Sequence, residues 1–159
     1  LQGKENAHDL HYELSDIMVK EVTVKRDNEG LAKAVNKIKE LRDRAKNISL
    51  DDTKQFANQT YAFAARFPSM LELALVITKG ALLRDEFRGA HFKPEFPERN
   101  DKDWLKTTIA SYDAAVDEPV ITYKPVDMPY LDPINRDYTV AKKVRPKLKN
   151  VPKNIKLPI

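Results

Sequence analysis

FANQTYAFAARFPSMLELALVITKGA, residues 56–81, carries the most regular pattern in the chain. Phe56, Thr60, Phe63, Phe67, Met70, Ala74, Ile77 and Ala81 follow one another at alternating spacings of four and three, the repeat that lines one face of an α-helix. A seam of that length predicts a long helix whose apolar side packs on neighbours. Pro68 removes a backbone donor inside it, so a kink or short interruption is expected, with the seam in register on both sides. Arg84 and Arg88 fall in its expected last turn, where cations suit the helix dipole. Gly89 follows where a left-handed residue ends a helix.

Upstream, Leu10, Leu14, Ile17 and Met18 repeat at helical spacing in DLHYELSDIMVKEV, with Asn6 or Asp9 able to cap the first turn. A break at KRDNEG precedes Leu31, Val35, Ile38, Leu41 and Ala45, the apolar stripe of a second helix, and NISLDD interrupts again. Ser49, with Asp52 three residues on, reads as a capping box that uses Asp in place of Glu. The resulting fold class is mainly α: an antiparallel three-helix bundle over residues 1–89. Residues 90–126 form a loop around Arg88, Gly89, Ala90 and His91 and then a small β-hairpin from WLKTTIASY and PVITYKPV. Residues 127–159 read as an extended Pro-rich basic tail, because seven of the ten prolines lie at or beyond Pro119 and repeated prolines forbid a continuous helix or central strand.

The chain has 159 residues and no cysteine, which excludes disulfides, thiol catalysis and cysteine-ligated zinc or iron–sulfur sites within it. No apolar run approaches the roughly 20 residues that span a bilayer, and LQGKENAHDL is not a signal peptide. A start at Leu1 without methionine gives the expectation of a piece cut from a longer protein. The net charge of +4 is uneven: residues 136–159 hold eight Lys or Arg and one acid, hence +7, which leaves −3 for the rest. The basicity belongs to the tail.

Four features bear on chemistry. Gly3, Gly30, Gly80 and Gly89 are the only glycines, so no dinucleotide fingerprint or phosphate loop is present. His8 and His11 share a helix face, but no third ligand stands nearby and they read as solvated or partly packed imidazoles. Glu95, Glu98 and Asp101 form a charge-rich turn that is more simply solvated than catalytic. His91 follows a helix end, where an imidazolium is favoured, with Glu86, Glu95 and Glu98 as possible partners. With no nucleophile or metal partner in view, it reads as a structural staple. The expected site thus contains no catalytic, cofactor-binding or metal-ligating residue.

The run EFRGAHFKPEFPERNDKDWLK, Glu86 to Lys106, resembles the ESRGAH, DFPERDD and WLKHT signature of succinate dehydrogenase and fumarate reductase flavoprotein subunits. LHYELSDIMVKEVTVKRDNEGL, Leu10 to Leu31, and ITYKPVDM are similar to further segments of the same C-terminal region. Phe87 stands where the family has serine, Pro94 replaces a common acid and Thr107 a common histidine. The resemblance implies a C-terminal helical domain, with Arg88, Gly89, Ala90, His91, Arg99 and Trp104 as candidates for docking on the FAD-binding and capping domains of one longer chain. It further implies that the intact subunit carries FAD, interconverts succinate and fumarate and passes electrons to an iron–sulfur subunit at a membrane anchor. That complex would be peripheral on the cytoplasmic face, while the fragment itself is soluble. The family's flavin-linking histidine, proton-transferring arginine and dicarboxylate ligands map to no position here. L-aspartate oxidases share the architecture. The alternative from another class is a free-standing module whose basic tail grips an acidic partner. Nucleic acid is not expected, since Tyr138 is the single aromatic of the basic residues 136–159.

Overall fold

A computed structural model of the chain describes residues 2–113 and 115–134. It is mainly helical: α1 (Ala7–Ile17), a π-turn (Met18–Val22), α2 (Asn28–Ala45), α3 (Gln59–Leu82), the short α4 (Asp101–Trp104) and the strands β1 (Lys106–Ser111) and β2 (Val120–Pro125). Each long helix begins at a side chain that satisfies an orphan backbone N–H. Asn6 accepts from His8, Asp27 from Gly30 and Asn58 from Tyr61. Two expectations change here. Asp27 as cap draws Asn28, Glu29 and Gly30 into α2, so the break after α1 is shorter than KRDNEG. Ser49 caps nothing: its hydroxyl donates to the Glu5 carbonyl, and α3 starts ten residues later at Gln59.

The core is shared by α1, α2 and α3. Leu10 and Leu14 meet Val35, Ile38 and Leu41, and these meet Phe67, Leu71 and Leu75. All five stripe positions of α2 are buried, each large one contributing about 1.5–3 kcal/mol. The π-turn carries Val22 into a second cluster with Leu31, Ala34 and Ala81. The chain then turns at Val24, whose φ of 53° is left-handed. That is a strained conformation for a β-branched residue.

α3 runs through Pro68 without interruption. Its buried face is Ala64, Phe67, Leu71, Ala74, Leu75, Thr78 and Ala81, so Phe67, Ala74 and Ala81 of the expected seam are buried, and Phe63 and Met70, partly buried, pack against the same core. Phe56 lies before the helix and is 91% exposed, while Ile77 is 53% exposed. Leu71, Leu75 and Thr78, each one position beyond Met70, Ala74 and Ile77 of that seam, complete the buried face. By length and composition α3 is also apolar enough to cross a bilayer, contrary to the expectation of no such run; here its inner face packs on α1 and α2. The helix ends at Leu82, earlier than expected, leaving Arg84 and Arg88 beyond it.

Residues 2–5 lie along 47–49, with Gly3 and Lys4 donating to the Ile48 and Asn47 carbonyls. β1 and β2 pair antiparallel, from Lys106 with Pro125 to Ser111 with Val120. Their connecting loop is stapled to the helices by charge. Arg42 of α2 binds Asp117, and Glu118 takes both Lys39 of α2 and Lys79 of α3. These two lysines hold the Glu118 carboxyl down to about 2. Residues 127–134 form no helix or strand; the rest of the expected tail, 135–159, lies outside the described residues.

Candidate functional site

The segment from Arg84 to Lys106 folds back over the C-terminal end of α3 and is tied there by two fully buried charges. Glu86, with no exposed surface, accepts from Arg84 Nη1 (2.5 Å), Arg88 Nε and Nη2 (2.8 and 2.9 Å) and the Asn100 backbone N–H (3.3 Å). Burial alone raises a carboxyl pKa, but the bonds from Arg88, Asn100 and Arg84 outweigh it and hold the group below its usual value. Lys93, equally buried, donates to Asn28 Oδ1 (2.7 Å), the Leu82 carbonyl (2.9 Å) and Asp85 Oδ1 (2.9 Å). Three acceptors satisfy the three N–H groups of an ammonium.

Arg88 and His91 exchange both backbone hydrogen bonds at 3.0 Å, closing a two-residue turn over Gly89 and Ala90. Gly89 has φ +59° and Ala90 is not left-handed, the pattern of a II′ turn with glycine first. Gly89 is therefore left-handed as expected, but it makes a tight turn and does not end a helix. Phe87 packs edge-on against Phe92 at 5.6 Å.

His91 is not the cation the sequence suggested. Its Nδ1 lies 2.7 Å from Arg26 Nη1, and its Nε2 lies 2.8 Å from the Arg84 carbonyl. A guanidinium only donates and a carbonyl only accepts, so Nδ1 accepts, Nε2 carries the proton and the ring is neutral. Burial, with Arg26 nearby, pushes its pKa below the usual value. The expected acids are engaged elsewhere: Glu86 with arginines, and Glu95 with the Asn28 N–H. Asp101 takes Arg88 and both arms of Arg99, whose Nη1 also donates to the Ile134 carbonyl.

Trp104 stacks under Arg84 at 5.1 Å and meets Tyr123 of β2 edge-on. Arg84 also donates to the Trp104 and Lys106 carbonyls, joining the turn to the hairpin. Of the six docking candidates, Arg88, His91, Arg99 and Trp104 are thus engaged inside the corner, while Gly89 and Ala90 are exposed at its tip. His8 and His11 lie apart from it, around Phe63; His8 stacks on that ring at 4.4 Å.

Both nitrogens of His91 are bonded, and Glu86 and Lys93 are saturated by chain groups. Such an arrangement fixes a loop in place. Sequence reasoning missed Arg26, Asn28 and Lys93, because their partners lie up to 65 residues away. The only local trace is a charged residue set between aromatic ones, as in HFKPEF.

Residues 11–138 match the family described as fumarate reductase flavoprotein C-term. The chain is 46% identical over 142 residues to the succinate dehydrogenase flavoprotein subunit of Bacillus subtilis, covering 89% of this chain and 24% of that protein. It is 38% identical over 128 residues to the fumarate reductase flavoprotein subunit of Helicobacter pylori, covering 80% and 18%. Among solved structures, E. coli quinol fumarate reductase superposes with a TM-score of 0.79 at 28% identity, over 84% of this chain and 23% of that one. The chain therefore spans about a quarter or less of the length of these relatives.

Proposed function

The chain belongs to the fumarate reductase flavoprotein C-terminal family, and from that premise we propose that it is the C-terminal helical domain of a succinate dehydrogenase or fumarate reductase flavoprotein subunit. The carrying observation is 46% identity over 89% of the chain to a succinate dehydrogenase subunit. The intact subunit binds FAD, moves two electrons and two protons between succinate and fumarate, and hands the electrons to an iron–sulfur subunit held at a membrane anchor on the cytoplasmic face. This chain supplies no catalytic group to that reaction. Its role is to form one domain, with residues 1–89 as an antiparallel three-helix bundle, 90–126 as the loop and hairpin, and 127–159 as a tail along the assembly.

The corner docks on the flavin-binding and capping domains. Arg88, His91, Arg99 and Trp104 hold its shape from behind, and Gly89 and Ala90 make the contact. Support for this division comes from the internal bonds of the first four and the exposure of the last two.

The test is the full-length subunit, purified and assayed for bound flavin and for succinate-dependent reduction of an artificial electron acceptor. Stoichiometric flavin with turnover in either direction supports the reading. A subunit that binds no flavin, or turns over neither succinate nor fumarate, overturns it. The +7 charge of residues 136–159 favours a second reading, a module that grips an anionic protein. Binding of that kind falls steeply with salt, whereas docking through the corner and helices does not.

A further inference from the structure

We propose that the exposed face of α3 around Leu73 and Ile77, with the cleft beside it, seats an apolar, acid-bearing segment of the longer flavoprotein chain. The inference rests on the reading that this chain is one domain of that subunit, and it adds a docking surface distinct from the corner.

The first ground is the composition of α3. A helix apolar on all sides is normally buried on all sides, yet only 28% of its most apolar window is buried here. Leu73 is 63% and Ile77 53% exposed, one turn apart on the side away from Leu71, Leu75 and Thr78. Beside them opens a cleft of about 390 Å³ between α3 and the hairpin, floored by Ile77, Gly80, Ala110 and Ile121.

The second ground is Arg26, which lines the same cleft together with His91. Its Nη1 is spent on His91, and its Nε–H is shut off from water with no acceptor among the described residues. Its charge forms no ion pair among them either. Arg26 as a whole is only half-buried, so the complementary surface should bring a carboxylate or carbonyl to the open side of its unpaired guanidinium and apolar side chains to Leu73 and Ile77. The third ground is length: relatives of this family are about four times longer than the stretch matched here, so a covering segment from the same polypeptide is at hand.

A chain without cysteine makes the test direct. Ile77→Cys is introduced into the 159-residue chain and into the full-length subunit, and maleimide labelling at that peptide is followed by mass spectrometry, each rate normalised to the same protein in urea. The expected result is rapid labelling in the short chain and at least tenfold slower labelling in the full-length subunit. Equal rates in both overturn the proposal. Protection in the short chain that grows with protein concentration assigns the face to a second copy, and protection that needs phosphatidylglycerol vesicles assigns it to a bilayer; either overturns it. Labelling is read whether or not the subunit carries flavin, so loss of flavin defeats the functional reading without touching this one.

Discussion

Replacing Glu86 with Gln keeps the shape of the corner and removes the charge on which it converges. Four donors meet at that carboxylate. An amide offers one acceptor oxygen and turns its own N–H₂ toward the remaining donors, so either Arg88 Nη2 with the Asn100 N–H, or Arg84 with Arg88 Nε, loses its acceptor. Breaking one partner of a buried pair costs about 3–5 kcal/mol. Arg88 retains Asp101, and Arg84 retains the Trp104 and Lys106 carbonyls, which places the expected loss near the low end, about 3 kcal/mol. Urea denaturation of the 159-residue chain measures it as a lowered midpoint at unchanged slope. The pH dependence gives a second reading. The Glu86 pKa is lowered in the folded state, so its contribution is complete above the usual carboxyl value and is lost as pH falls below it. Glu86→Gln should therefore flatten the acid limb of stability. A midpoint shift worth less than about 0.5 kcal/mol, the size of an ordinary surface change, would refute the idea that this carboxylate organises the loop.

His91 is neutral when folded, with its pKa lowered from 6.5 by burial and by Arg26; the unfolded chain thus binds the extra proton, and stability falls as pH drops through and below that value. His91→Gln, which can accept from Arg26 and donate to Arg84 without titrating, should flatten the thermal midpoint between about pH 7 and 5.5, read by circular dichroism. Gly89→Ala should destabilise by about 1–2 kcal/mol through left-handed strain alone, because no atom lies within 4 Å of the added Cβ; an unchanged midpoint would contradict the turn. Val24→Asn should do the opposite, stabilising by up to about 1 kcal/mol, since Asn tolerates the φ of 53° and Val24 is 80% exposed. Arg44 clamps Glu5 and Glu13 and, with Lys37, holds the Glu13 carboxyl near 2; Arg44→Gln should raise that value toward the usual range in an NMR titration.

α2 was legible because most of its remaining positions are charged and none carries a large apolar side chain, so one apolar stripe fits the sequence. α3 was legible in part: with apolar residues on every side several seams fit, and the strict repeat found Phe63, Phe67, Met70, Ala74 and Ala81 on the core side but took the exposed Ile77 and missed the buried Leu71, Leu75 and Thr78. The strands were legible from β-compatible runs bounded by polar turns, and their register needs no more than Lys106 opposite Pro125. The end of α3 was misplaced because Arg84 and Arg88 satisfy the dipole rule as written, while the structure uses both side chains against Glu86. Nothing local announces that a glutamate and a lysine will be wholly buried, since such residues are almost never buried unless paired. Their partners come from α2's first residue, the end of α3 and Asn100, and only the fold assembles them.

The balance between apolar core and polar corner follows from what each must do. The helices exclude water, and Leu, Ile, Val and Phe side chains achieve that by close packing, which has no directional bonds to satisfy. In the proposed docking role, the corner holds a two-residue tip at one position relative to α3. Buried charges are poor sources of net stability, because desolvation offsets most of their attraction. They are selective about geometry, since each misplaced bond exposes an uncompensated charge. Lys93 ties the loop to Asn28 and Asp85 on one side, and Glu86 ties it to Asn100 and two arginines on the other. Displacing the tip by an ångström would strain both sets at once. Apolar packing offers no comparable penalty. For the proposed docking in one register, a domain therefore gains more from this corner than the same volume of leucine would give.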